Sequence, residues 1–251
     1  MLQKTFIHIE GVGEKTERRL WQHGADSWDA YLAAPERFPL PAVRRAQAVD
    51  VLAHSSSALV EGDFRFFARR LQGRHHWRAL PSFAGRVAYL DIETNGATGP
   101  DCVTVIGLYR EGQVHQFVRG ENLLDFPDAL DEVAVLVTFF GAGFDLPVLR
   151  ETFPLLRFDQ LHVDLCPALR RLGFSGGLKK IEAAVGLQRS RATAGLSGWD
   201  AVRLWHEYLH GREASLHTLL QYNAEDIVHL APLADLVYRE LRRHVEGDIN
   251  E

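Results

Sequence analysis

The stretch that decides the fold of this 251-residue chain is Val87-Ala-Tyr-Leu-Asp-Ile-Glu93. It starts as an apolar run with β-branched residues and ends in polar ones, which predicts a buried strand that emerges at the edge of a sheet. Residues two apart on a strand point to the same face, so the side chains of Asp91 and Glu93 project together. A pair of this kind also occurs by chance at a solvated strand end, so it indicates chemistry only in combination with other positions.

Outward from this stretch, further strands are predicted at residues 103–109 and 114–118, with Glu111-Gly112 as the turn between them. Three strands in succession indicate an antiparallel meander. Shorter strands at 135–140 and 162–165 then alternate with helices, which predicts an α/β fold with a mixed sheet and helices on its faces. The predicted helices lie near 127–132, from residue 145 onward, and at 178–185, 201–209, 215–223 and 226–244.

The region before the first strand is predicted to be all helical, with helices at 14–22, 41–59 and 63–71. We therefore expect a small helical domain over residues 1–72, a linker over 73–85 and an α/β domain over 86–251. Near its start, Gly11-Val-Gly13 leads into a helix that carries Lys15, which is similar to a helix-hairpin-helix motif. Backbone N–H groups at such a turn bind phosphate without reading bases. A tight turn inside a small helical domain is the alternative.

Composition and charge bound the class of protein. With 46% apolar residues and no run that has the length of a membrane span or the pattern of a signal peptide, the chain is expected to be soluble and cytoplasmic. Cys102 and Cys166 form no CxxC pair, which argues against a disulfide framework or a structural zinc site. Residues 1–80 hold 12 Lys and Arg against 9 Asp and Glu, whereas residues 81–251 hold 16 against 24. The basic excess could anchor phosphates, and the acidic remainder fits either carboxylates gathered around cations or a solubilising surface.

Two further acidic positions stand out. Gly141-Ala-Gly-Phe-Asp145 joins a strand end to a helix start, where free N–H groups and the helix dipole stabilise a carboxylate. Taken singly, Asp145 is typical of a helix N-cap. In Gln221-Tyr222-Asn-Ala-Glu-Asp226, the tyrosine and the last aspartate lie one helical turn apart on one face. Taken singly, that pair is typical of a core tyrosine above an exposed aspartate.

In combination and in this order, the three motifs resemble those of the DEDD superfamily of exonucleases, which includes the DnaQ-like domains, and specifically its YprB-type ribonuclease H-like family. Those motifs are Asp-x-Glu on the first strand, Asp after a glycine-containing turn, and Tyr-x-x-x-Asp on a late helix. The resemblance covers about residues 86–236 and includes His162-Val-Asp-Leu and Gly198-Trp-Asp-Ala-Val-Arg-Leu-Trp205. It implies a ribonuclease H-like fold, a nucleic-acid substrate and 3′→5′ exonuclease activity with two Mg²⁺ or Mn²⁺ ions.

The same resemblance implies a role for each motif residue. Asp91 bridges the two ions, and Glu93 and Asp226 complete the site of the metal that carries the nucleophile. Asp145 supports the second metal through water. Tyr222 orients the attacking water, since an unperturbed tyrosine has a pKa near 10 and is a poor base at neutral pH.

The chemistry accounts for these residue types. Phosphodiester hydrolysis needs a deprotonated water and neutralised charge on the phosphoryl oxygens, and two divalent ions about 4 Å apart can supply both. Hard cations prefer oxygen ligands, so four carboxylates for two ions meet that demand. Without metal the carboxylates would repel one another, so metal should stabilise the fold and bind less tightly as the pH falls.

Other positions refine the expectation and leave two alternatives open. Gln221 stands where a related subclass has histidine, which favours the tyrosine subclass. Lys179 and Lys180 are candidates for phosphate contact or for a solvated helix face. Phe140 stands where many superfamily members have asparagine, so one alternative is a module that binds nucleic acid without cleaving it. The other alternative is a phosphatase that uses Asp91-Ile-Glu93 as a nucleophile pair. It leaves the motif on the late helix, Tyr222 and Asp226, without a role.

Overall fold

The structure is a computed structural model that describes residues 1–247. Residues 248–251, which the predicted α/β domain includes, lie outside the described residues. The strands are β1 (Val87–Thr94), β2 (Val103–Arg110), β3 (Gln113–Val118), β4 (Val135–Thr138) and β5 (Leu161–Asp164). The helices of this part are α1 (Glu14–Gln22), α2 (Trp28–Ala33), α3 (Ala42–Glu61), α4 (Phe64–Ala68), α5 (Phe126–Ala129), α6 (Asp145–Thr152), α7 (Leu165–Arg171), α8 (Leu178–Ala184), α9 (Gly198–Leu209) and α10 (Glu213–Gly247). Short 3-10 turns occur at Leu2–Lys4, Pro35–Arg37, Gly73–Arg86 and Leu123–Asp125.

The five strands form one sheet in the order β3-β2-β1-β4-β5. β1 pairs antiparallel with β2, β2 pairs antiparallel with β3, and β1 pairs parallel with β4. The turn of the predicted meander has φ values of 53° at Glu111 and 78° at Gly112, as a tight hairpin turn requires. This mixed sheet, flanked by helices and preceded by a helical region, confirms the predicted α/β fold class. Within residues 1–247, no helix has the length and apolarity that crossing a bilayer demands.

Two apolar cores lie on opposite faces of the sheet and determine where the acidic residues of β1 point. Leu90 of β1 belongs to one core, whereas Val105 of β2 belongs to the other, with Leu204 of α9 and residues of α10. Glu93 pairs with Val105 across the two strands. Asp91 lies two residues earlier on β1. Both carboxylates therefore lie on the sheet face that α9 and α10 cover.

The chain divides into two compact units. The first comprises Met1–Ala84, Asp159–His162 and the chain from Tyr238 onward, and the second comprises Gly85–Phe158 and Val163–Val237. The stretch predicted as a linker is folded, since Gly73–Arg86 winds into 3-10 turns in which Trp77 and Arg78 are buried. The first unit therefore includes residues 73–84, which were predicted to belong to a linker.

A buried ion pair in the first unit joins α1 to these turns. Glu17 accepts hydrogen bonds from Arg78 Nη1 at 2.8 Å and from the backbone N–H of Phe6 at 2.6 Å. Both charged side chains are only 1% exposed. Burial raises the pKa of Glu17 against the opposing effect of Arg78. The two side chains depend on each other for charge compensation inside the core.

The predicted helices differ from the observed ones at three places. The helices predicted at 215–223 and 226–244 are one continuous helix, α10. Asn223 usually disfavours a helix interior, but here its side chain is bonded to Asp91 and Gln116 and does not compete for the helix backbone. No helix was predicted at α2 or α7, which have six and seven residues. The strand predicted at 162–165 extended through Leu165, which is the first residue of α7.

Candidate active site

Three carboxylates from distant parts of the sequence meet in one cleft. β1 carries Asp91 and Glu93, and α10 carries Asp226 one turn after Tyr222. One carboxylate oxygen from each of the three acidic residues lies within 4.8 Å of the others. A cleft of about 490 Å³ lies over them and is also lined by Tyr222. The structure thus brings the first and third predicted motifs together.

Asp145 of the second motif is buried, but it is not a member of that group of three. It is the first residue of α6, and the N-cap position belongs to Phe144. Asp145 Oδ1 accepts a hydrogen bond from the backbone N–H of Ile92 at 3.2 Å. Because Ile92 lies between Asp91 and Glu93, this bond holds α6 against the part of β1 that carries the site.

The turn before Asp145 is organised by Asp164, whose role the motifs do not indicate. Asp164 accepts hydrogen bonds from the backbone N–H groups of Phe140 at 2.8 Å and Ala142 at 3.1 Å. Phe140 adopts a φ of 66°, which is rare for a bulky residue. Its ring lies against Gly143, where a Cβ would come within 2.6 Å of the ring. Phe140 is half exposed and does not line the carboxylate cleft.

Asn223 of α10 orients the Asp91 side chain. Its Nδ2 donates to Asp91 Oδ2 at 3.3 Å, and its Oδ1 accepts from Gln116 Nε2 at 3.1 Å. Gly107 pairs with Asp91 across β1 and β2, and a Cβ there would lie 2.9 Å from Asn223 Cγ and closer still to Oδ1. Sequence reasoning missed Asn223 and Gln116. The available signal was Gly107, an isolated glycine in an apolar strand, which marks a close approach.

Tyr222 is buried in the cleft and contacts a lysine. Lys179 Nζ donates to the Tyr222 hydroxyl at 2.9 Å and lies 4.4 Å from the centroid of its ring. Burial, and then the charge of Asp226, raise the pKa of Tyr222, so the hydroxyl stays protonated at neutral pH. Lys179 and Lys180 line a second cleft of about 440 Å³ that shares Asp91, Tyr222 and Asp226 with the first. The structure therefore places both predicted lysines beside the carboxylates.

A buried arginine that no motif predicts completes the surroundings. Arg189 lies between α8 and α9, and its Nη2 donates to Asp226 Oδ1. Its Nε and Nη2 each donate to Glu182 at 2.7 Å. His229 Nδ1 lies 3.0 Å from Glu182 Oε1. The loop around Arg189 has no sequence pattern that indicates this contact.

Burial raises the pKa of all four acidic residues of the motifs. For Asp91 and Glu93 the pKa lies well above the usual range, because the charge of Asp226 and other acidic neighbours adds to burial. Burial raises the pKa of Asp145 to about 7. For Asp226, burial raises the pKa against the opposing effect of Arg189. Without a compensating cation, these groups cannot all be ionised at low cost.

The donor set fits a hard divalent cation. Glu93 lines the cleft, and its buried Oε1 has no hydrogen-bond partner within residues 1–247. A buried acceptor of this kind calls for a ligand or ion. Carboxylate oxygens from three residues supply the oxygen-only environment that Mg²⁺ and Mn²⁺ prefer.

The predicted phosphate-binding residues of the first unit lie at the start of α1. Gly13 is the N-cap of α1, and Gly11, Gly13 and Lys15 are all exposed. Gly11 has a φ of 73°, and a Cβ there would overlap the guanidinium of Arg44. A 3-10 turn at Leu2–Lys4 occupies the place where a helix-hairpin-helix motif has its first helix. The helix-hairpin-helix assignment therefore stays a prediction.

A mixed sheet of this order with acidic residues gathered on its central strand defines a ribonuclease H-like domain. The family model of the RNase H superfamily matches residues 88–238, which include every acidic residue of the three motifs. The chain belongs to the RNase H superfamily.

Among solved structures, the chain is similar to the family B DNA polymerase from the hyperthermophilic archaeon Pyrobaculum calidifontis. The identity is 19% and the TM-score 0.49, over 60% of this chain and 24% of the polymerase. The chain thus spans about a quarter of that protein. No curated protein matches it.

Proposed function

We propose that this chain is a divalent-metal-dependent nuclease that hydrolyses phosphodiester bonds of nucleic acid. The observation that carries the proposal is the convergence of Asp91, Glu93 and Asp226, whose carboxylate oxygens lie within 4.8 Å of one another. Membership of the RNase H superfamily supports it, because nucleases with this fold use divalent ions held by carboxylates. A 3′→5′ exonuclease polarity is part of the proposal and rests on the resemblance of the motifs to the DEDD superfamily.

The proposed assignment of metal ligands follows from position in the cleft. Asp91, Glu93 and Asp226 would hold an ion directly, and Asp145 would support a second one through water. When bound, two Mg²⁺ or Mn²⁺ ions neutralise charge on the phosphoryl oxygens and lower the pKa of water. The chain's own contribution is to fix the ligands in advance, as Asn223 does by donating a hydrogen bond to Asp91.

Tyr222 is proposed to orient the attacking water. Since Lys179 donates to the Tyr222 oxygen, the hydroxyl proton is available for a third partner in the cleft. The raised pKa of Tyr222 makes its hydroxyl a donor that positions a water rather than a base that deprotonates it. Lys179 and Lys180 line the neighbouring cleft and would attract the phosphate.

A module that binds nucleic acid without cleaving it is the second candidate. Two observations favour it: Phe140 supplies no polar group near the site, and Arg189 already neutralises Asp226. A phosphatase is less well supported, because it leaves Tyr222 and Asp226 without a role although both line the cleft of Asp91.

Hydrolysis of end-labelled DNA and RNA oligonucleotides tests the proposal. We expect cleavage with Mg²⁺ or Mn²⁺, none with chelator, and products that shorten from the 3′ end. Asp226→Asn should lower the rate by more than about 100-fold, since even partners of metal ligands contribute 10- to 100-fold. Asp128→Asn, which changes an exposed carboxylate on α5, is the matched control and should keep full activity. Cleavage that persists in chelator or in Asp226→Asn would refute the proposed site, and no cleavage by the wild-type protein would favour the binding module.

A further inference from the structure

Trp199 is an exposed indole beside the carboxylates. Of the five tryptophans in the described part of the chain, four are less than a tenth exposed, whereas Trp199 is 81% exposed. A flat ligand that covered this indole would remove a large apolar surface from water, which is favourable. Trp199 lines the same cleft as Asp91, Glu93 and Asp226. A group that covers the indole would therefore lie next to the metal-binding carboxylates.

The local fold fixes the backbone that carries Trp199. It is the second residue of α9, which begins with a capping box in which the Ser197 and Asp200 side chains bond each other's backbone N–H groups. The Asp200 carboxylate accepts the N–H of Ser197 at 2.9 Å and a further bond from Arg203 at 3.3 Å. A planar side chain on a fixed helix start loses little freedom when a flat ligand stacks on it.

The cleft beside Trp199 has apolar walls and open space. Phe144, which is 44% exposed, lines the same cleft. Gly96 has a φ of 83°, and a Cβ there would come within 3.2 Å of Val202, so glycine leaves room that a side chain would fill. The volume of about 490 Å³ lies in the range of small-molecule sites, about 300–1,000 Å³. The space suits a flat group with an apolar face.

The cleft that Trp199 lines and the cleft that the two lysines line meet at the carboxylates. Lys179 and Lys180 line the second cleft, which shares Asp91, Tyr222 and Asp226 with the first. A nucleotide has the matching arrangement, with a flat base at one end and an anionic phosphate at the other. We propose that Trp199 is a stacking platform for an unpaired nucleobase, so that the substrate is a single-stranded end of nucleic acid. This inference rests on the proposed function and names its substrate class.

The depth of the carboxylates favours an unpaired end over a duplex. Glu93 and Asp226 are 7% and 6% exposed, so a phosphate reaches them only when its nucleotide enters the cleft. A paired nucleotide would bring its partner strand into the same cleft. An unpaired nucleotide enters alone, and its free face can stack on an aromatic side chain.

Binding of a short phosphorothioate-linked oligodeoxythymidine, which resists hydrolysis, tests the platform in the presence of Mg²⁺. Because Trp199 is the one largely exposed tryptophan in the described chain, binding should change the indole emission. Trp199→Ala should weaken binding about 5- to 150-fold, the effect of losing one stacked base. Trp199→Phe should keep most of the affinity and lose the emission change. A blunt duplex of the same sequence should bind more weakly than the single strand.

The matched control is Leu209→Ala, which removes a 61% exposed apolar side chain at the other end of α9 and should not affect binding. An unchanged affinity in Trp199→Ala, or a duplex that binds as tightly as the single strand, would overturn the inference. Metal-dependent hydrolysis of an unmodified oligodeoxythymidine by the wild-type protein tests the proposed nuclease separately from binding. If the wild-type protein fails to hydrolyse it, the proposed nuclease fails, while the emission change still decides the platform.

Discussion

Gly107 of β2 leaves the space that the Asn223 side chain needs. A side chain at position 107 should therefore disturb the hydrogen bond by which Asn223 orients Asp91. In Gly107→Ala, the new Cβ would lie 2.9 Å from Asn223 Cγ, which forces the amide to move. Asn223 then loses its bonds to Asp91 and Gln116. Unmade buried hydrogen bonds cost about 1–3 kcal/mol, and overpacking adds about 1–3 kcal/mol. We expect the free energy of unfolding to fall by about 2–6 kcal/mol and metal affinity to fall about 10- to 100-fold.

Urea unfolding of a double-mutant cycle measures this effect directly. In Asn223→Ala the amide is gone, so adding Gly107→Ala should cost no further stability. The coupling energy between the two changes should therefore equal the cost of Gly107→Ala alone, about 2–6 kcal/mol. Gly85→Ala is the control, because a Cβ there meets no atom within 4 Å, and it should alter stability by less than about 0.5 kcal/mol. Additive effects of the two single changes would refute the steric argument.

Four further outcomes are expected. Mg²⁺ at about 100 times its dissociation constant should add about 2.7 kcal/mol to the free energy of unfolding, and Asp226→Asn should abolish most of that gain in thermal unfolding. An equal gain in the variant would contradict its role as a ligand. In chelator, stability should fall as the pH rises from about 4 to about 7, because Asp145, whose pKa is raised to about 7, favours the folded state only while it is protonated. Asp145→Asn should reduce this dependence without removing it, because the pKa values of Asp91, Glu93 and Asp226 are raised as well, and stability that rises over the same window would contradict the assignment. Arg78→Met should cost about 3–5 kcal/mol in urea unfolding, since Glu17 stays buried without its partner, and an unchanged midpoint would argue against that reasoning. Lys15→Ala should reduce the slope of log affinity against log salt for an oligonucleotide by about 1, and an unchanged slope would remove the proposed phosphate anchor.

The fold could be predicted where local pattern and tertiary environment agree. The run 87–93 and the Glu111-Gly112 turn identified β1 and the meander, because strand periodicity and turn chemistry are local properties. The prediction divided α10 in two after Asn223, a residue whose local preference disfavours a helix interior. That preference is overridden by partners on β1 and β3, which lie far away in sequence. The division of α10 was therefore an error about tertiary contacts rather than about periodicity.

The difference between local sequence pattern and tertiary contact also explains which residues of the candidate site were predicted. Asp91, Glu93 and Asp226 were found because each lies in a short motif, and the structure places their oxygens within 4.8 Å of one another. Asp164 and Arg189 support the site through contacts with residues more than twenty positions away. Such contacts leave no local pattern, so the sequence did not indicate the role of either residue, although Asp164 lies in the stretch His162-Val-Asp-Leu that resembles the family.

The Arg189 contact is compatible with a cation at the same carboxylate. Arg189 holds Glu182 through two bonds of 2.7 Å and Asp226 through one. If Asp226 turned toward an ion, Arg189 would therefore stay paired and would not become an isolated buried charge, which is the costly outcome. Glu93 has no such partner for its buried Oε1 within residues 1–247. The fold thus places two acidic side chains close together on β1, so relief of their repulsion by a divalent ion adds to the affinity of the site.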